Sequence, residues 1–130
     1  MILFINTASA EKIVLILVNE QGAVLVKKSI QAKYKQSEKL LASIKKVLEV
    51  KKKKIKNLTG IIVVKGPGSF TALRIGIITA NTIAFGLDLP AAGVMNGEVR
   101  EMIEQGLKIL KRSKQFSPVM PEYGREPNIG

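Results

Sequence analysis

Val64-Lys65-Gly66-Pro67-Gly68-Ser69-Phe70-Thr71-Ala72-Leu73-Arg74-Ile75-Gly76 contains a strand end, a tight turn and a helix start in direct succession. The apolar run Ile61 to Val64 stops at Lys65, and Gly66-Pro67-Gly68 follows. Gly66 and Gly68 allow backbone angles that side chains forbid, and Pro67 fixes one φ between them. The helical pattern then runs from Ala72 to Leu87 with Arg74 as its only charge. Ser69 stands where a hydroxyl caps the first turn. Asp88-Leu89-Pro90 ends the helix, because Pro cannot continue it.

Outward from this stretch, the N-terminal third reads as β structure. Ile2 to Ile5, Ile13 to Val18 and Ala23 to Lys28 are three apolar runs with short polar connections, which predicts an antiparallel meander. The second run has no polar alternation, so both of its faces are expected to be covered. Ser37 and Glu38 open a helix with Leu40, Leu41, Ile44, Val47 and Leu48 on one stripe. The lysine run that follows, Lys51 to Lys54 with Lys56, reads as a solvated loop whose cations suit the helix end. After the central helix come a short strand, Ala91 to Val94, and a third helix to about Arg112. Asn96 is its expected cap, and Val99, Met102, Ile103, Leu107 and Leu110 form its stripe. No internal repeat is present.

The order β-β-β-α-β-α-β-α predicts an α/β domain. Three strands form a meander, and helical right-handed crossovers add two parallel strands, for a mixed five-stranded sheet in all. That is the ribonuclease H-like, actin/hexokinase-type unit. A chain of 130 residues suffices for one such domain, burying roughly 65–70% of its unfolded surface.

Composition narrows the chemistry. The sequence has no Cys and no His. That removes disulfides, thiolate metal sites, the commonest zinc ligand and the commonest general base. Ser9, Ser37 and Ser69 therefore have no histidine partner for a hydrolytic triad. The Gly-Pro-Gly turn is neither a Walker A box nor a dinucleotide fingerprint, since no Lys-Ser or Lys-Thr pair follows it. Asn6, after the first strand, carries no charge with which to hold Mg²⁺. The chain is expected to need no metal and no cofactor, and not to hydrolyse ATP. The apolar start is short for a signal peptide, and Ile75 to Leu87 is shorter than the ~18 residues of a membrane span, so no membrane partner and a cytoplasmic location are expected. The formal charge is +11. Phe4, Phe70 and Phe85 sit in apolar patterns, which leaves few rings for base stacking. Any tRNA binding by the chain alone is expected to be weak and without sequence preference.

Gly66 to Gly76 resembles the GPGSFTGLRIG signature of TsaB (YeaZ-like) proteins, with Ala72 in place of a Gly. Those proteins are accessory subunits of the machinery that makes threonylcarbamoyladenosine in tRNA. Other parts of the resemblance are looser. The loop Asn6-Thr7-Ala8 replaces the family's Asp-Thr-Ser, and Gln36-Ser37-Glu38-Lys39-Leu40-Leu41 stands where the family has His-Ser-Glu and a leucine pair. The end, Pro121 to Ile129, is similar to the family's terminal Pro-x-Tyr-Leu-Arg motif, with Gly124 for Leu. Family members carry a second domain before that motif, whereas here Ser113 to Val119 stand between. The resemblance thus divides the chain into an actin-like domain, 1–112, and a terminal segment, 113–130.

The resemblance implies a fold, a role and a surface. The fold is the actin-like unit already expected. The role is non-catalytic: a scaffold that binds and orders TsaD, the catalytic paralogue, in a complex joined by the ATPase TsaE, with tRNA met only indirectly. The surface is the first two helices, which in the family pack against the same helices of TsaD. Here small residues recur every four positions at Ala72, Gly76, Ala80 and Ala84, which allows close helix approach. These, with Leu40, Leu41 and Ile44, are the expected interface, shared by a homodimer when the paralogue is absent. Gly66, Pro67, Gly68, Ser69, Phe70, Thr71 and Arg74 form the signature loop and helix start. A second reading of the basic charge is a small RNA-binding module that delivers tRNA.

Overall fold

A computed structural model describes residues 1–122. Its elements are β1 (Ile2–Asn6), β2 (Lys12–Val18), β3 (Val24–Gln31), α1 (Gln36–Val50), β4 (Gly60–Gly66), α2 (Phe70–Leu87), β5 (Ala91–Met95) and α3 (Val99–Arg112), with a 3-10 turn at Ile55–Asn57. The sheet order is β3-β2-β1-β4-β5. β1–β2 and β2–β3 are antiparallel, and β1–β4 and β4–β5 are parallel. The expected meander with two parallel additions is the observed architecture.

Strand alternation sorts the apolar residues into two layers. Leu3, Ile5, Leu15, Leu17, Ile61 and Val63 face α1 and α2, meeting Leu40, Ile44, Val47, Leu48, Ile77, Ala80 and Ala84. Ile2, Phe4, Ile16, Ile62 and Val64 face the other way, with Met102 and Ile103 of α3. β1, β2 and β4 are covered on both sides, which explains why their sequences lack polar alternation.

Helix starts differ from the sequence reading in instructive ways. α1 begins at Gln36, whose side chain is buried and donates to the carbonyl oxygens of Ser9, at 3.2 Å, and Ala10. α2 begins at Phe70, two residues earlier than expected, which makes it 18 residues long and apolar enough to cross a membrane by length and composition. Here it is a core helix, packed on β4, β1, β5 and α1. Ser69 occupies its N-cap position, but the hydroxyl makes no capping bond; its backbone N–H donates instead to Ala8 O at 2.8 Å. Asn96 does not cap α3. Glu98 does, accepting from the Arg100 amide at 3.0 Å. At the far end of α2, Asp88 adopts a left-handed φ of 52°, and Leu89 N–H donates to Ala84 O at 2.8 Å, closing the helix before Pro90.

The rotation of α2 is set by Thr7. This side chain is fully buried, and its hydroxyl donates to Ala72 O at 2.7 Å. Gly76 lies over it: a Cβ there would sit 2.3 Å from Thr7 Oγ1 and 3.1 Å from Thr7 Cγ2. The four small residues of α2 are therefore small because they face the domain's own sheet and first loop. Ala72, Gly76, Ala80 and Ala84 are all buried there, as are Leu40 and Ile44 of α1. The stripe expected at a partner interface is, in this structure, an internal one.

Beyond α3 the chain returns across the α2 layer. Phe116 meets Phe85 edge-on, with ring centroids 5.6 Å apart. Val119 is buried, and Asn81 of α2 clamps its backbone from both sides: Val119 N–H donates to Asn81 Oδ1 at 2.9 Å, and Asn81 Nδ2 donates to Val119 O at 3.0 Å. Glu122 N–H then donates to Lys65 O at 2.7 Å. Next to the buried Val119, Met120 is exposed. Tyr123, Arg125 and Ile129 lie outside the described residues.

Two tests follow from these contacts. Gly76→Ala gains about 1 kcal/mol of helix propensity but drives a methyl into Thr7 and displaces a buried hydroxyl bond, losses of about 1–3 kcal/mol each. The expected outcome is net destabilisation of about 1–5 kcal/mol in urea unfolding. Thr7→Ala in the same chain is expected to return part of it, and strict additivity of the two losses would refute the contact. Asn81→Ala removes both bonds to Val119. Its expected signature is amide exchange at Val119 roughly tenfold faster, equivalent to about 1.4 kcal/mol of local opening, with exchange in β1 and β4 unchanged. Equal exchange at Val119 in the two proteins would show that the clamp is idle.

Candidate functional site

The signature loop sits where the parallel strands end. Gly66, at φ 141°, closes β4, and its peptide to Pro67 is cis. The φ is one that L side chains rarely adopt, and a Cβ there would also run into Glu122 O. Gly68 comes so near the first loop that a Cβ would fall 2.7 Å from Ala8. Asn96, after β5, braces the turn from the other side: its N–H donates to Gly66 O at 2.7 Å and its Nδ2 to Pro67 O at 3.2 Å. Asn6 spends its Oδ1 on the Ala8 amide at 2.9 Å. Pro67 and Gly68 are exposed, and Ser69 is half-buried. A cleft of about 340 Å³ opens beside the loop, lined by Asn6, Ala8, Ser9, Lys12, Val14 and Asn96. Its lining includes one cation and no carboxylate. The bonds named here all run between the turn, the first loop and the residue after β5, so the geometry is that of a brace between β1, β4, β5 and α2.

The outer face of α2 is the other feature of this region. Thr71, Arg74, Ile78, Thr82 and Phe85 are exposed at spacings of three and four residues, which places them on one side of the helix. Ile78 is 57% exposed and Phe85 72%. Phe70, 48% exposed at the helix start, has the Arg74 guanidinium over its ring at 5.9 Å. α1 packs beside α2 and adds Leu41, 46% exposed. Of the seven residues expected at the interface, Leu41 alone is exposed. The apolar surface of this layer comes instead from Ile78, Phe85 and Phe70, which the sequence reading either did not single out or placed in the interior. The inner face of α2 carries Leu73 and Ile77 as well as its four small residues, so apolar character alone does not tell its inner side from its outer one. The cue available was the three-four spacing from Arg74, the helix's only charge.

Comparison with known proteins bears on this region directly. The family model described as "TsaD: tRNA N6-adenosine threonylcarbamoyltransferase" matches residues 28–108, which run from β3 into α3. The tRNA threonylcarbamoyladenosine biosynthesis protein TsaB of Bacillus subtilis (strain 168) is 48% identical over 42 residues, covering 32% of this chain and 18% of that protein. The TsaB of Buchnera aphidicola subsp. Schizaphis graminum is 37% identical over 71 residues, covering 55% of this chain and 34% of that protein. The solved structure of YeaZ from Pseudomonas aeruginosa superposes with a TM-score of 0.64 over 73% of this chain and 42% of that one, at 24% identity, which supports the fold. The matches thus span well under half the length of each relative. Since the family model covers more than half of the chain, the chain belongs to the TsaD family of tRNA threonylcarbamoyladenosine proteins, and the relatives it resembles within that family are TsaB proteins.

Proposed function

We propose that this chain is a non-catalytic scaffold subunit in the synthesis of threonylcarbamoyladenosine in tRNA, binding and ordering the catalytic paralogue TsaD. Residues 1–112 form the actin-like unit of that scaffold and 113–130 its family terminus. The ATPase TsaE is a further member of the complex, and the setting is cytoplasmic. The observation that carries the reading is the exposed row on α2, whose apolar members are Ile78 and Phe85, with Leu41 also exposed on the neighbouring α1. Phe85 meets Phe116 along one edge, yet Ile78 and most of the Phe85 ring remain open to solvent, and exposed apolar surface of this kind marks a docking face. The braced loop supports the same reading: it holds α2 rigidly on the sheet and leaves the outer face fixed in orientation. A homodimer through this face is the proposed state when the paralogue is absent.

The buried stripe changes how the idea is tested. Gly76 is unsuited, because its substitution strikes Thr7 before any partner. Ile78→Asp is the suitable variant, since an exposed position away from special contacts shifts stability by about 0.5 kcal/mol or less; Phe85→Asp is a second, which also gives up the ring contact with Phe116. Each withdraws a side chain whose burial is worth about 1.5–3 kcal/mol, roughly one to two decades in affinity. The expected outcome is that Ile78→Asp melts as the parent does, Phe85→Asp melts slightly lower through the lost Phe116 contact, and both lose TsaD in co-purification, while Val24→Asp, on the β3 edge and 55% exposed, keeps it. Full retention of TsaD by both variants would place the interface on another surface.

A further inference from the structure

Residues 27–56 contain twelve lysines and two acids, Glu38 and Glu49, for a net charge of +10. The other hundred residues contain nine basic and eight acidic side chains, a net of +1. Nearly all the excess charge of the protein is therefore confined to β3, α1 and the turn that precedes β4. These elements also adjoin in space. β3 is the sheet edge, and α1 lies over β2 and β3. All twelve lysines are exposed, and among the described residues none takes part in an ion pair. A surface that serves solubility alone mixes the two signs. Collecting +10 on one side raises self-repulsion in the folded state, and no described contact of the fold offsets it.

We propose that the β3–α1 edge is an RNA surface that follows phosphates. Its chemistry favours RNA over other anions in three respects. The cations are strung out: α1 alone, with 15 residues, spans about 22 Å at 1.5 Å per residue, so the matching anion is extended. They are all lysines, point charges that suit a backbone with no fixed register, and arginine's bidentate fork is absent from the run. The turn between β3 and α1 carries Tyr34, 77% exposed and held outward at φ 56° between Lys33 and Lys35. That ring offers an unpaired base a face to stack on, which an acidic polypeptide does not use. The inference draws on the tRNA-modification family of the preceding section but not on the apolar row of its docking face, which lies on α2 outside residues 27–56; Leu41 of α1 is the one docking-face residue inside them.

The test uses the full chain alone and labelled unmodified tRNA, with anisotropy titrations from 50 to 300 mM KCl. The parent is expected to bind in the micromolar range or weaker, with log K falling against log salt at a slope of about −3 or steeper, as four or more neutralised phosphates require. A fourfold variant, Lys45→Gln, Lys46→Gln, Lys51→Gln and Lys52→Gln, is expected to bind at least tenfold more weakly at 100 mM and to flatten the slope by about 2–3. A second variant in the same region, Lys27→Gln, Lys28→Gln, Lys33→Gln and Lys35→Gln, is expected to behave alike, and covers the case in which the first fails to fold. The control, Lys108→Gln, Lys111→Gln, Arg112→Gln and Lys114→Gln, removes the same charge elsewhere and is expected to stay within twofold of the parent. Equal weakening in control and patch variants would reduce the effect to net charge and overturn the proposal. So would unchanged binding in a folded patch variant. Displacement of labelled tRNA by polyglutamate as readily as by unlabelled tRNA would assign the edge to an acidic polypeptide instead. Failure of TsaD binding leaves these readouts untouched, since the paralogue is absent from the assay.

Discussion

The hydroxyl of Thr7 donates to the carbonyl oxygen of Ala72, and the arrangement of the helical layer depends on that bond. Thr7 follows β1, the central strand, so its position is fixed by pairing with β2 and β4. Ala72 lies in the first turn of α2. Fixing that turn against the sheet leaves one rotational choice, and Gly76 determines it by yielding the space Thr7 occupies. At about 100° per residue, the side opposite Gly76 is then that of Arg74, Ile78 and Phe85. The outward face of α2 is therefore a geometric consequence of a contact in the interior. An alteration at Thr7 or Gly76 would rotate or lift the helix and scatter the exposed row, without touching any residue of that row.

Much of this architecture could be read from the sequence, and the reason is periodicity. Unbroken runs such as Ile13 to Val18 and Ile61 to Val64 identify strands covered on both sides, and the stripes of α1 and α3 identify helices. The family signature placed the turn between β4 and α2. Small residues at every fourth position of α2 correctly signalled a close approach. Periodicity reveals a face and its tightness but not what the face meets, and here the neighbours are Thr7 and the parent sheet. Phe70 and Phe85 sit in apolar patterns, yet both lie on the outer side of α2, away from Gly76, and are exposed. The bonds that Gln36, Asn81 and Asn96 make were not legible for a different reason, and Asn96, expected as a helix cap, serves as a brace. Each side chain bonds to the backbone of a segment distant in sequence, to Ser9 and Ala10, to Val119 and to Pro67. Local pattern has no term for such pairings.

The two edges of the sheet are protected by different means. At the β3 edge, Lys27 and Lys28 are exposed, a common device against edge-to-edge pairing. At the β5 edge, Val119 packs against Gly93 and the returning chain is tied to α2 and to the end of β4. The tail also enters the outer α2 surface, because Phe116 supports the exposed ring of Phe85. Detaching the tail would therefore free an aromatic side chain at the surface proposed for the partner. That couples the terminus to docking through one ring contact, with no need for a larger conformational change.

Charge adds a constraint on which partner that surface prefers. A two-fold homodimer through α1 and α2 would bring two copies of the region with net +10 toward each other. Like charges within a Debye length, about 8 Å at physiological ionic strength, repel. A paralogue that lacks the lysine run incurs no such repulsion while covering the same Ile78 and Phe85. Apolar burial drives both assemblies equally, so the electrostatic term distinguishes them. It disfavours the homodimer most at low salt and fades as salt rises, whereas the heterologous pair is less sensitive. The lysine run would then act twice: as a surface for phosphates, and as a bias that keeps the apolar face available to a different chain.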